Sequence, residues 1–572
     1  MKFLKNILSS LTALLIFTLL VLFIFIAVIA NTKDSYDVEV KNQSILEINI
    51  NNDIVDREVF SDFDIINPTR SENDLVSIIK ALKEAREDTL IQGALLRIGD
   101  LKGSLANVSS LRRNLAEFKK TGRKVIVYSE YLSQVGYYLA SSADSIFVNS
   151  LSSIEWKGLG AQVIYFKSIL EKIGVKAEPI RAGKFKSATE PFVLDSMSVQ
   201  NQYQLSQMLN DIWSNIIFEV SNERGLSTSK LDSIANYSGF LLPDEAMKKG
   251  LVDGIKYEDE VITCLDQMVG GKCNLISISD YNASTNRNII AESKVVVVNA
   301  EGSIVDANSE SDISSIRYSK IFDEILNDKD VKAVVLRINS PGGSALASEK
   351  LWRKLDLISS KLPLIVSMGN YAASGGYYMA CAGDTILAEK NTITGSIGVF
   401  GLMFNFSKLI NEMGIKVEKV KTNEMSDFPS FDRELSEKEK NRIRKGINFI
   451  YQKFKERVSM GRSLAKNDVD KLSEGRVWTG SQALKLGLVD QIGGLEKAVS
   501  IAASAAELKN YELIHLPKNK TPLEAIANKL TQQTKFSIPE PFSRYNLILQ
   551  NPELFESFSK PQARLPYVIS ID

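Results

Sequence analysis

Histidine is almost missing from this chain of 572 residues; the only one is His515. That excludes a histidine-rich metal site and any mechanism needing two histidines. A Ser-His-Asp triad would have to use His515. Cysteine is scarce as well. Cys264, Cys273 and Cys381 cannot supply a disulfide framework. Cys264 and Cys273 could bridge in an oxidising compartment or stay as free thiols, and Cys381 sits in an apolar helical run and reads as core. An excess of one charge is also lacking. Lys+Arg and Asp+Glu both number 69, for a net charge of zero, which argues against nucleic acid as a main partner. No metal or other cofactor is expected.

What is present is length and apolar content. A chain of 572 residues exceeds what one core serves, so at least two domains are expected. Hydrophobic residues make up 44% and charged residues 24%, as in a globular protein. Residues 7–30 carry no charge and follow Lys2 and Lys5. Twenty-four uncharged positions exceed a signal-peptide core and suffice to cross a bilayer. Val28-Ile29-Ala30 is a weak cleavage site, so residues 1–30 read as a cytoplasmic stub and an uncleaved transmembrane signal anchor. The lysines stay inside and the remainder is exported. Residues 31–43 form a polar linker.

From residue 44 onward, strand-like runs (45–50, 91–98, 124–128, 146–148) alternate with helix-like runs (75–87, 105–120, 135–142). This is the pattern of an α/β protein with a mainly parallel sheet. The second half then repeats the first. IQGALLRIGDLKGS from Ile91 matches VKAVVLRINSPGGS from Val331. EYLSQVGYYLASSADS from Glu130 matches NYAASGGYYMACAGDT from Asn370, and GVKAEPIRAGKFK from Gly174 matches GIKVEKVKTNEMS from Gly414. The offset is 240 each time (331−91, 370−130, 414−174). AMKKGLVD from Ala246 matches ALKLGLVD from Ala483 at offset 237 (483−246). The domains expected are an N-terminal repeat at 44–269, a linker at 270–293, a C-terminal repeat at 294–507 and a Pro-containing tail at 508–572.

Residues 362–400 carry the candidate chemistry. An apolar run at 362–367 reads as a buried strand, Gly369-Asn370-Tyr371 as a turn, and residues 377–381 as the start of a helix. Ser374-Gly375-Gly376 lies between them. A serine at the start of a helix sits beside free backbone N–H groups that can stabilise an anion. Ser340-Pro341-Gly342-Gly343 follows a strand-like run, 333–338, and can turn further N–H groups inward.

Comparing the repeats sharpens this. At offset 240, Ser374 faces Gln134, Gly375 faces Val135, Gly342 faces Lys102 and Gly343 faces Gly103. The reverse holds for Lys186, which faces Ser426. One copy retains a nucleophile and the other an ionisable group. Two facing copies would build one site from complementary halves within a single chain. A neutral lysine amine can take the serine proton and return it to a leaving amine, provided that it is desolvated. Phe185 and Phe192 flank Lys186 and are candidates for its apolar wall.

LRINSPGG, SMGNYAASGGYY, TGSIGVF and GKFKSATEPF resemble the motifs of the signal peptide peptidase A (protease IV) family in its long, duplicated form. The resemblance implies two tandem Clp-protease/crotonase-type domains and a Ser-Lys serine peptidase. It places the nucleophile on Ser374, the general base on Lys186, and the oxyanion donors on Gly375 and the Gly342-Gly343 loop, Gly343 first. It also implies a homotetramer at the outer, extracytoplasmic face of the inner membrane that degrades cleaved signal peptides and other apolar peptides. Three other readings compete. An α/β-hydrolase would pair Ser374 with His515, although its Gly-x-Ser-x-Gly elbow is broken by Ala372. A crotonase-like enzyme would act on acyl thioesters, and a membrane-anchored scaffold would be non-catalytic.

Overall fold

The computed structural model describes residues 2–31, 39–57, 74–285, 291–518 and 561–565. The uncharged run at 7–30 lies within one helix, Lys2–Asn31. The side chains of residues 21–30 are outside the described set, so the signal-anchor reading falls in part outside it too. Among the described residues, no helix is long and apolar enough to cross a membrane.

The first repeat folds around a six-stranded sheet. In spatial order its strands are Gly254–Ile255, Ser145–Val148, Lys124–Ser129, Ile91–Ile98, Ser44–Ile50 and Asn274–Ser277, and every neighbouring pair is parallel. Ile91–Ile98 is apolar almost throughout, as a parallel strand covered on both faces must be. Helices Leu75–Ala85, Leu105–Lys119 and Gln134–Ala140 bury their apolar residues in one cluster with it. The ends of two of them are fixed locally. The Asp74 side chain accepts from the Ser77 amide, and the Ser133 side chain from the Gly136 amide. The stretch read as a linker, 270–293, contributes the edge strand Asn274–Ser277 and the helix Ile278–Ser284, whose Tyr281 is fully buried. Its polar composition hides an apolar stripe too short for the periodicity to show.

The second repeat is built alike. Its main strand order is Val477–Thr479, Ile393–Gly395, Leu364–Ala373, Val331–Ser340, Lys294–Glu301 and Glu512–Leu516. The sequence reading places a turn at Gly369-Asn370-Tyr371, yet the strand from Leu364 continues to Ala373. Two contacts hold it extended: the Tyr371 amide donates to Asn339 Oδ1 at 3.2 Å, and Tyr371 pairs with Ile393 of the next strand.

A third sheet joins the repeats. Its order is Ile313–Ser314, Ile304–Val305, Gly342–Ser344, Gln562–Arg564, Val399–Asn405 and Lys176–Ala182. Lys176–Ala182 belongs to the first repeat and pairs antiparallel with Val399–Asn405 of the second over its whole length. Pro179 is tolerated because this strand forms the sheet edge.

One buried ion pair also locks the repeats together. Arg337 reaches Asp56 through Nη2 (2.6 Å) and Nε (2.9 Å), Asn107 through Nη2, and Ser367 Oγ and the Met368 carbonyl through Nη1. All five guanidinium N–H groups thus have acceptors, two residues of the first repeat among them. Asp56→Ala strands a buried cation, which costs about 3–5 kcal/mol. Thermal unfolding should show a correspondingly large drop, and a loss below about 1 kcal/mol would contradict this role for the pair.

Candidate active site

Ser374 stands where Leu364–Ala373 ends and the helix Gly375–Ala380 begins. Its backbone is strained for a residue with a side chain, at φ 56° and ψ −113°. Two backbone bonds hold that conformation. The Ser374 amide donates to the Gly395 carbonyl, and the Ser374 carbonyl accepts from the Tyr378 amide, both at 2.8 Å. Small neighbours are required here. A Cβ on Gly375 would lie 2.6 Å from Ser348 Oγ, and one on Gly376 would lie 3.0 Å from the Ser340 carbonyl oxygen.

Lys186 follows directly from the sheet that joins the repeats. After Ala182 the chain turns at Gly183 (φ 104°), where a Cβ would collide with the backbone of Glu474. The Phe185 amide donates to the Glu474 carbonyl at 2.8 Å, and Gly475 packs against the Lys186 backbone and Cβ. From the other side, Gln204 donates to the Phe185 carbonyl and to Ser187 Oγ, and Ser187 donates to Asn201. The lysine loop is thus clamped by both repeats. Phe185 and Phe192, expected as an apolar wall, are engaged elsewhere. The Phe185 ring lies under Lys184 and Arg476, and Phe192 packs with Phe166 and Phe404.

The Lys186 amine is completely buried and lies 2.7 Å from Ser374 Oγ. Ser396 supplies its other contacts, Oγ at 2.9 Å and the carbonyl oxygen at 3.1 Å. Burial pushes the amine well below the ordinary lysine value of 10.5, and among the described residues no carboxylate pairs with it. A neutral amine has two N–H groups and one lone pair. Ser396 offers two acceptors for the N–H groups, which leaves the lone pair facing the Ser374 hydroxyl. Sequence reasoning missed Ser396. At offset 240 it faces Trp156 (396−240), so the comparison that singled out Ser374 could have found it too.

In the glycine loop, the Gly342 amide (φ 100°) donates to Ser340 Oγ at 3.1 Å, so its N–H is occupied. A Cβ on Gly342 would lie 2.8 Å from the Gly375 nitrogen, which brings the loop against the start of the Ser374 helix. Gly343 lies in the short strand Gly342–Ser344 and stands opposite Ala563.

The equivalent positions, each in the opposite repeat, make local bonds instead. Gln134 caps its own neighbourhood, accepting from the Lys157 and Gly158 amides and donating to the Gly158 carbonyl. Ser426 is exposed and bonds locally to the Asn423 carbonyl. His515 lies in the edge strand Glu512–Leu516, three strand spacings from the Ser374 strand, or roughly 14 Å. Burial pushes its imidazole down to about 4. The pairing of Ser374 with His515 is therefore corrected by the sheet order. Cys264, Cys273 and Cys381 are free thiols.

Among proteins of known family, the profile of peptidase family S49 matches residues 117–272 and 356–509, once in each repeat. Protease 4 of Haemophilus influenzae is 35% identical over 444 residues, covering 74% of this chain and 72% of that protein. Protease 4 of Salmonella typhi is 30% identical over 530 residues, 87% and 84% of the two chains. The chloroplastic serine protease SPPA of Arabidopsis thaliana is 31% identical over 459 residues, 77% and 68%. These relatives favour peptide hydrolysis over acyl-thioester chemistry and over a scaffold. With a family match spanning both repeats, the chain belongs to peptidase family S49 and is a serine peptidase.

Proposed function

We propose that Ser374 is the nucleophile and Lys186 the general base of an endopeptidase that degrades apolar peptides, cleaved signal peptides among them, at the outer face of the inner membrane. The contact of 2.7 Å between a desolvated amine and the serine hydroxyl carries this reading. Lys186 takes the Ser374 proton as Oγ attacks the peptide carbonyl, and the oxyanion draws on the amides of Gly375 and Gly343. Gly342 contributes shape, since its amide is occupied. The lysinium then protonates the leaving amine, and water releases the acyl group by the reverse sequence.

Anchoring and assembly belong to the same proposal. Anchoring rests on the sequence: as one helix, the twenty-four uncharged residues 7–30 would span about 36 Å against a hydrocarbon core of about 30 Å, and the side chains of residues 21–30 lie outside the described set, in which no spanning helix is found. Assembly is supported by unsatisfied repeats of an internal contact. Lys176–Ala182 pairs with Val399–Asn405. At offset 240 the counterparts are 416–422 and 159–165, neither of which forms a strand. They expose Val420 fully and Ile164 at 70%. In a closed ring, the first stretch of one chain would pair with the second stretch of the next, and a homotetramer is the assembly proposed. Replacing Val417 and Val420 with aspartate should shift the solution mass toward the monomer. An unchanged mass would rule out this contact.

Hydrolysis of an apolar peptide by the purified protein tests the chemistry. Ser374→Ala and Lys186→Ala should each lower the rate by about four to six orders of magnitude. In the parent, kcat/KM should rise with pH through the folded-state pKa of Lys186, well below 10.5, because only the neutral amine accepts a proton. His515→Ala should leave that limb in place. Near-parental hydrolysis by Ser374→Ala, or a limb abolished by His515→Ala, would sink the assignment.

A further inference from the structure

The tail strand Gln562–Arg564 lies between Gly342–Ser344 and Val399–Asn405, pairing antiparallel with both. Its register is informative. Bonds run from the Leu565 amide to the Pro341 carbonyl (2.7 Å) and from the Ala345 amide to the Pro561 carbonyl (3.3 Å). Hydrogen-bonded pairs in an antiparallel ladder recur every second residue. The pair midway between those two is Gly343 with Ala563, which turns the Gly343 N–H onto the Ala563 carbonyl. That carbonyl oxygen also lies 2.1 Å from where a Cβ on Gly342 would sit and 3.1 Å from one on Gly375. It therefore occupies the space enclosed by the glycine loop and the start of the Ser374 helix.

The flanks are held as well. Ala563 is wholly buried, and Leu565 joins the core cluster of the first repeat. Ser374 and Lys186 have no exposed surface in this arrangement, so no external peptide can reach them. Without the strand, the third sheet would have a slot one strand wide at the nucleophile, the kind of edge that binds extended peptides.

We infer that residues 561–565 are a built-in substrate mimic that occupies the peptide slot with Ala563 in the acyl position, making the chain its own competitive inhibitor. The inference rests on the peptidase reading above. It also assigns substrate chemistry. The bound peptide is extended and antiparallel to Gly342–Ser344, and the residue whose carbonyl meets Gly343 has a side chain about as small as alanine.

Three preparations test this with one fluorogenic apolar peptide: the full chain, a chain ending at residue 560, and the full chain with Ala563→Trp, whose side chain cannot enter the buried position. If the strand fills the slot nine-tenths of the time, both variants should show KM lower by about tenfold with kcat unchanged. A synthetic peptide of residues 559–567 should inhibit the shortened chain competitively. Ala563→Trp keeps Leu565, so its result stands even if shortening lowers stability. Equal kcat/KM in all three, with no competition by the synthetic peptide, would overturn the inference and leave the peptidase reading intact. Absence of Ser374-dependent hydrolysis from all three would overturn that reading and this inference with it.

Discussion

A primary amine without a countercharge is held in the dry space between two domains, and much of the surrounding architecture serves to keep it there. Water would protonate Lys186, and a protonated lysine has no lone pair for the serine. The burial has a thermodynamic sign. Between the depressed folded-state pKa and 10.5, the unfolded chain binds a proton that the folded chain does not. The site therefore costs stability across that window, and the cost shrinks as pH rises toward 10.5. The Asp56–Arg337 pair, shared between the repeats with every guanidinium N–H bonded, fixes how the two domains close around the amine.

The clamp on the lysine explains the asymmetry of the repeats. Lys186 emerges from a strand that finds its partner in the following repeat, so it arrives beside Ser374 and Ser396 rather than beside Gln134. Gln134 is sealed with bonds from the amides of residues 157–158. Ser426, the counterpart of Lys186, stays at the surface. Lys186 and Ser374 thus meet where the two repeats face each other.

Much of this was legible in the sequence because a duplicated chain carries its own comparison. The alternation of strands and helices, the parallel sheets and the split of Ser374 from Lys186 all follow from apolar periodicity and a constant offset. What escaped depends on non-local geometry. Ser396 looks like one more small residue in TGSIGVF until a lysine 210 residues earlier reaches it. Gly475 is required to be small because a Cβ there would meet the Lys186 backbone and Cβ. The strand through Gly369-Asn370-Tyr371 is extended because Asn339 and Ile393 hold it, against its local turn signal. The segment Gln562-Ala563-Arg564 has no periodicity of its own and becomes a strand only between two others.

The central claim is that one chain builds one complete site from the unlike halves of its two repeats. Mixing tests it most directly. Chains carrying Ser374→Ala and chains carrying Lys186→Ala are unfolded together, refolded and co-assembled, and peptide hydrolysis is measured against parental protein treated alike. With Lys186 and Ser374 in contact within a chain, every mixed assembly holds only broken sites, and activity should stay at the level of the single variants. Recovery of about a quarter of parental activity, as expected when subunits pair at random across a shared site, would mean that the lysine comes from a neighbouring chain and would contradict the account.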